Sequence, residues 1–125
     1  MKIIVLLMSL VLSSFAVADD HADGGPFYAF YHLNVTNPAG VVEAMDKFWA
    51  SDCGKQYPAD VALSQELFNG GYASTHFIIN TFQSIEDQSK AAEIMRSCPD
   101  SAVFLQALSA SAQPVIEYMG PAPLD

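Results

Sequence analysis

The chain has 125 residues, 51% of them hydrophobic and 11% aromatic, with five Lys/Arg against fourteen Asp/Glu and a net charge of −9. That length supports one domain with a single core and is too short for two. A surface this acidic repels phosphate backbones and anionic lipid headgroups, which argues against nucleic acid and membrane surfaces as partners.

Residues 1–18 have the three-part layout of a secretory signal peptide: Lys2 as the positive start, an apolar core from Ile3 to Leu12, and Ala16-Val17-Ala18 as the small-residue cleavage site. The apolar run falls short of the roughly 20 residues that a bilayer span needs. Export is therefore expected, to the periplasm or outside the cell, with no membrane attachment after cleavage. The mature chain keeps four basic residues (Lys47, Lys55, Lys90, Arg96) against the fourteen acids, a net of −10. Residues 19–26, opening Asp19-Asp20-His21, read as a polar, flexible leader.

Phe27 to Val35 (FYAFYHLNV) is an aromatic-rich first strand. Phe27, Ala29, Tyr31, Leu33 and Val35 line one face, while Tyr28, Phe30, His32 and Asn34 line the other and end polar, so both faces need a cover. Asn37-Pro38 starts a helix, Asn as cap and Pro at the first helical position. Its stripe of Val41, Met45, Phe48 and Trp49 runs to about Ser51, with Trp49 as a core anchor. Asp52 to Asp60, holding Gly54 and Pro58, reads as a connection.

Val61 to Phe68 and Ser74 to Phe82 are the second and third strands, a hairpin turned at Asn69-Gly70-Gly71-Tyr72. A three-residue loop with a bulge at Gly71 would set Glu66 opposite His76 and put Leu63 and Leu67 on one face with Thr75, Phe77 and Ile79. Ser84 followed by Asp87 opens a short helix with Ile85, Ala92 and Met95 inward, broken at Cys98-Pro99-Asp100. A last helix from Ser101 to about Ala112 turns Phe104, Leu105 and Leu108 to the core. Val115 to Met119 is the fourth strand, and residues 120–125 form a proline-rich tail that should not continue a sheet.

The order β-α-β-β-α-β over residues 27–119 is the α+β, ferredoxin-like arrangement: a four-stranded antiparallel sheet with helices on one face. In its strand order 4-1-3-2 the opening strand is central. The first helix ends near Cys53 and the last begins just after Cys98 at the same end of the sheet, so these two cysteines of an exported chain are expected to form one disulfide.

The face away from the helices collects Tyr28, Phe30, His32, Asn34, Ser64, Glu66, His76, Asn80 and Glu117. That mixture is too apolar for water and too polar for a sealed core, and a homodimer packing two such sheets around a partly polar cavity resolves the conflict. His32, His76 and Glu66 fit three roles: ligands of a two-His, one-carboxylate metal site, acid/base groups acting on a bound phenol, or hydrogen-bonded residues of a wet interface. No Gly-rich phosphate loop, nucleophile elbow or HExxH is present, so neither a cofactor nor a metal is expected.

The FYAFYHLNV strand, the NPAGVVEAMDKFW helix, the STHFIINTF strand with its SIED helix start, and the last helix running into VIEYM together resemble the dimeric α+β barrel superfamily, loosely its antibiotic biosynthesis monooxygenase-like group, over about Phe27 to Met119. The resemblance implies a homodimer in a group that includes cofactor-independent oxygenases of aromatic substrates, haem-degrading enzymes and many proteins without assigned activity. The enzymatic reading is a cofactor-independent oxygenase or related enzyme acting on a small aromatic or quinone-like molecule. His32 and His76 would transfer protons, Tyr28, Phe30 and Phe82 would form walls, and Asn34, Asn80 and Glu66 would contact the ligand. The Asn, Trp and His set of haem-degrading relatives does not transfer, because Trp49 lies on the first helix and not after the third strand. The competing reading is a non-enzymatic exported dimer that binds a small apolar ligand or serves a structural role.

Overall fold

The computed structural model describes residues 26–121. The expected signal peptide, all but the last residue of the leader, and residues 122–125 lie outside them. The elements are β1 (Phe27–Val35), α1 (Pro38–Ala50), α2 (Asp52–Lys55), β2 (Asp60–Gln65), β3 (His76–Phe82), α3 (Ile85–Ser97), α4 (Pro99–Ser111) and β4 (Ala112–Pro121). The strands form one antiparallel sheet in the order β2-β3-β1-β4, with β1 inside it as expected. None of the helices among the described residues is long and apolar enough to cross a membrane.

Local chemistry sets most boundaries. Asn37 Oδ1 accepts the Gly40 N–H at 3.2 Å, and Pro38 fills the first turn, where its missing donor costs nothing. Ser84 Oγ accepts the Asp87 N–H at 3.0 Å to open α3. Ser51 serves two helices: its N–H closes α1 on Phe48 O at 3.0 Å, and its Oγ accepts the Gly54 N–H at 3.1 Å to open α2. The expected connection after α1 is thus partly helical. Gly54 is required there because a Cβ at this position would lie 2.6 Å from the Phe48 carbonyl carbon and 2.9 Å from Trp49 Cα.

The core lies between the sheet and the helices. Leu33 and Val35 of β1, Ile78 of β3 and Ala112 of β4 pack on Val41 and Met45 of α1, and a second cluster joins Ala29, Phe82 and Ala91. Ala91 is the buried residue of α3, whereas Ile85 and Leu105, expected inward, are about half exposed. Cys53 and Cys98 are bonded, their Cα atoms 6.2 Å apart, which ties α2 to the junction of α3 and α4.

Two expectations about the sheet are corrected. The β2–β3 connection is a loop over residues 66–75 and not a tight turn, and the register differs by one residue: Gln65 pairs with His76, Ser64 with Phe77 and Leu63 with Ile78. Gly70 and Gly71 take positive φ (69° and 101°), and the Asn69 side chain holds the loop, donating to Tyr72 O at 3.0 Å and Ser74 O at 2.8 Å while accepting from the Gly71 N–H at 3.1 Å. These side-chain bonds replace the ladder that a tight hairpin would need. The second correction concerns β4, which begins at Ala112 and continues through Gly120 and Pro121 beyond the expected end at Met119. An edge strand tolerates prolines, and Pro114 sits where the β1–β4 register shifts between His32 and Leu33.

Candidate functional site

Residues directly across a ladder share a face of the sheet. His32 pairs with Phe77 on one side and Ile116 on the other, and Phe30 pairs with Ile79 and Tyr118. The face away from the helices therefore carries Tyr28, Phe30, His32 and Asn34 of β1 with Phe77, Ile79, Ile116 and Tyr118. Because His32 lies across from Phe77, even-numbered residues of β1 share a face with odd-numbered residues of β3. His76, Asn80 and Phe82 consequently belong to the helix side, as does Glu117, which pairs with Tyr31. This corrects their expected placement beside His32, and it moves Phe77 and Ile79 onto the open face.

On that face a hydrogen-bonded chain runs from loop to edge strand. His32 Nδ1 bonds Glu66 Oε1, and His32 Nε2 lies 3.2 Å from the Tyr118 hydroxyl. Glu66 Oε2 accepts from Asn69 Nδ2 and from Ser74 Oγ, each at 2.8 Å. The Glu66 side chain is 5% exposed. Burial pushes its carboxyl up, but the hydrogen bonds from His32, Asn69 and Ser74 and the attraction of the imidazole outweigh it, so Glu66 is held below the ordinary carboxylate value and is ionised at neutral pH. A carboxylate on Nδ1 orients the ring, and in the neutral imidazole it selects the tautomer whose Nε2 lone pair points toward Tyr118. Tyr118 stacks on Phe30 with ring centroids 5.0 Å apart and on His32 at 5.5 Å, and Phe77 lies 5.7 Å from His32.

His76 does not join this group. It bonds the hydroxyl of the preceding loop residue, Thr75, at 2.8 Å, so the His32, His76 and Glu66 ligand set is not assembled. Tyr118, Asn69 and Ser74 were not singled out in the sequence. Tyr118 was in principle legible from the alternation in VIEYM, but the register shift at Pro114 governs which residues of that strand face out.

The helix side holds a second feature, a cavity of about 530 Å³ between the sheet and the helices. Tyr31, Phe48, Trp49, Phe82 and Phe104 supply aromatic walls, and Arg96 and Glu117 also line it. Asn80, 5% exposed, donates from Nδ2 to the Tyr57 hydroxyl at 2.8 Å. Burial, and then the neighbouring Tyr31, push the Tyr57 phenol up, only partly offset by the Asn80 bond. Burial and the Glu117 carboxylate raise Tyr31 as well. Both phenols therefore stay protonated at physiological pH. Trp49, read as a core anchor, is only partly buried and forms part of this wall, 5.5 Å from the Tyr57 ring.

Neither a protein-family model nor a curated protein matches the chain. Solved structures do. SnoaB from Streptomyces nogalater, described as a cofactor-independent oxygenase, superposes with a TM-score of 0.56 at 14% identity, over 82% of this chain and 96% of that one. A NIPSNAP family protein of unknown function from Agrobacterium tumefaciens gives 0.55 at 13% identity, over 78% and 88% of the two chains. A dimeric ferredoxin-like protein of unknown function from Thermobifida fusca gives 0.51 at 13% identity, over 78% and 92%. The protein has the ferredoxin-like fold. At such identities the likeness extends to the fold alone.

Proposed function

We propose that the protein is an exported homodimer that binds a small electron-rich aromatic molecule between sheet and helices and acts on it as a cofactor-independent monooxygenase. The observation that carries this reading is the hydrogen-bonded Tyr57–Asn80 pair in a largely apolar cavity with several aromatic walls. Such a pocket shelters a flat ring and offers few polar groups, which then fix its orientation. A hydroxyarene with an activated ring CH2 is its own reductant. That carbon gives up four electrons to dioxygen, one oxygen atom becomes the ring ketone and the other leaves as water with the two hydrogens. The protein's part is to bind, orient and exclude water. SnoaB, described as a cofactor-independent oxygenase, supports the reading by sharing the fold.

Turnover of hydroxyarenes, followed as oxygen uptake, tests the enzymatic part. Binding is read from Trp49, the only tryptophan: naphthohydroquinones and anthrones should quench its fluorescence, and Tyr57→Phe should weaken them about tenfold by removing one buried hydrogen bond. If none quenches Trp49, the cavity reading fails. Binding without oxygen uptake would leave the non-enzymatic reading, which one feature favours: no imidazole is among the described residues lining the cavity, and its phenols are held protonated.

The dimer is proposed from the open face, whose Phe30, Phe77, Ile79 and Ile116 need a cover, and the dimeric Thermobifida fusca protein of the same fold supports it. Export is supported by the residue pattern at 1–18 and by the Cys53–Cys98 bond. Sedimentation at micromolar concentration should show a dimer that Phe30→Asp splits, since a buried unpaired charge at a paired sheet face is costly. A monomeric wild type would sink this part.

A further inference from the structure

The Glu66–His32–Tyr118 chain lies on the opposite side of the sheet from the cavity, and nothing in the proposed oxygenation uses it. We propose that these three residues form a separate proton-accepting site for a neutral phenolic or enolic small molecule, seated in the groove between the sheet and the 66–75 loop. The inference does not rest on the reading of the helix-side cavity, and in the proposed dimer the groove lies in the partly polar space enclosed between the two sheets.

The geometry is that of a base held ready. Glu66 is buried under the loop by Asn69 and Ser74, and its remaining oxygen is aimed at His32 Nδ1. A carboxylate in this position orients the imidazole and compensates the charge that the ring gains when Nε2 takes a proton. Nε2 faces the hydroxyl of Tyr118, a half-exposed residue that lines a groove of about 670 Å³ together with Phe77, Ile116 and Tyr72. Those rings and the isoleucine suit a flat aromatic ligand. The strongly acidic chain repels a preformed anion, so the ligand enters neutral and is ionised in place.

The transfer is a two-step relay. The ligand hydroxyl gives its proton to Tyr118 Oη as the Tyr118 proton passes to His32 Nε2, breaking two O–H bonds and forming one O–H and one N–H. No electrons change hands. The products are a ligand phenolate or enolate and an imidazolium paired with the Glu66 carboxylate, and the net charge of the site is unchanged. Tyr118 and His32 touch the moving proton, and Glu66 is a positioning residue.

The test uses 2-naphthol, whose phenol and phenolate forms differ in absorbance, with the full mature protein in excess at about pH 7.5, roughly two units below the probe's own pKa and above the ordinary imidazole value, so that an unprotonated Nε2 is there to take the proton. The wild type should raise the phenolate fraction about tenfold, as a nearby opposite charge does when it lowers a pKa by about one unit. His32→Gln should abolish the rise. Glu66→Gln keeps a hydrogen-bonding side chain in the loop and should reduce it. Tyr118→Phe, on an exposed edge strand where a folding defect is not expected, should also reduce it and so guards against a misfolded His32 variant. No excess phenolate with the wild type would make the chain a loop tether only and overturn the proposal. A rise that His32→Gln or Tyr118→Phe leaves intact would overturn it equally.

Discussion

Replacing Cys53 and Cys98 together by serine lowers the free energy of unfolding by about 4 kcal/mol, read as a drop in the urea midpoint. The two residues are 45 positions apart, and on the chain-entropy model the cost follows from letting that long loop open in the unfolded state. The bridge encloses β2, β3 and α3 and ties the end of the first layer of helix to the start of the last. Against a typical total of about 5–15 kcal/mol for a small domain, the loss is a large share. It is reinforced locally, because Asp100 Oδ2 accepts the Cys53 N–H at 3.4 Å and Ser101 Oγ donates to Ile94 O at 2.8 Å, both beside the bridge. Reduction of the wild type should reproduce the serine result. A midpoint change worth under about 1 kcal/mol would show that the unfolded chain is already constrained there.

The bridge was legible because it needed only the order of elements and the expectation of export drawn from residues 1–18. The same holds for the helix starts, where Asn37, Pro38 and Ser84 act on groups within three residues of themselves. Faces were harder to read. Whether His76 and Asn80 join His32 depends on one residue of register between β1 and β3, while the composition of the 66–75 loop disguises the separate register between β2 and β3 as that of a tight Asn-Gly-Gly turn. Glu66, His32 and Tyr118 come from a loop, a central strand and an edge strand, so their meeting is a tertiary fact. His32 and Glu66 stood out as polar residues on apolar strands, but Asn69 and Ser74 looked like ordinary turn residues, and only the folded loop aims them at a carboxylate. α2 was hidden for a similar reason: Gly54 reads as a breaker, while in place it is the residue that lets α2 lie against the backbone of α1. Pro114 and Pro121 misled in the opposite sense, since their cost to a strand vanishes at an edge and at a register shift.

Phe48→Ala links the core to the proposed ligand site, and it should cost about 4 kcal/mol. Phe48 is 2% exposed, with ring centroids 5.0 Å from Trp49, 6.0 Å from Tyr57 and 5.0 Å from Phe104. Its removal takes away the contact shared by those three rings, and the seat of Gly54 against the α1 backbone keeps the helix from sliding in to fill the space. The cavity should therefore grow instead of closing, and ligand choice should move with it. Relative to wild type, the ratio of affinities for a three-ring over a one-ring hydroxyarene, followed through Trp49, should rise about tenfold, the usual scale for added apolar room. Stability and selectivity thus report on one void from two sides. A loss below about 1 kcal/mol with no change in selectivity would mean that the layers collapse on the gap, and a cavity that collapses so easily would not serve as a preformed ligand site.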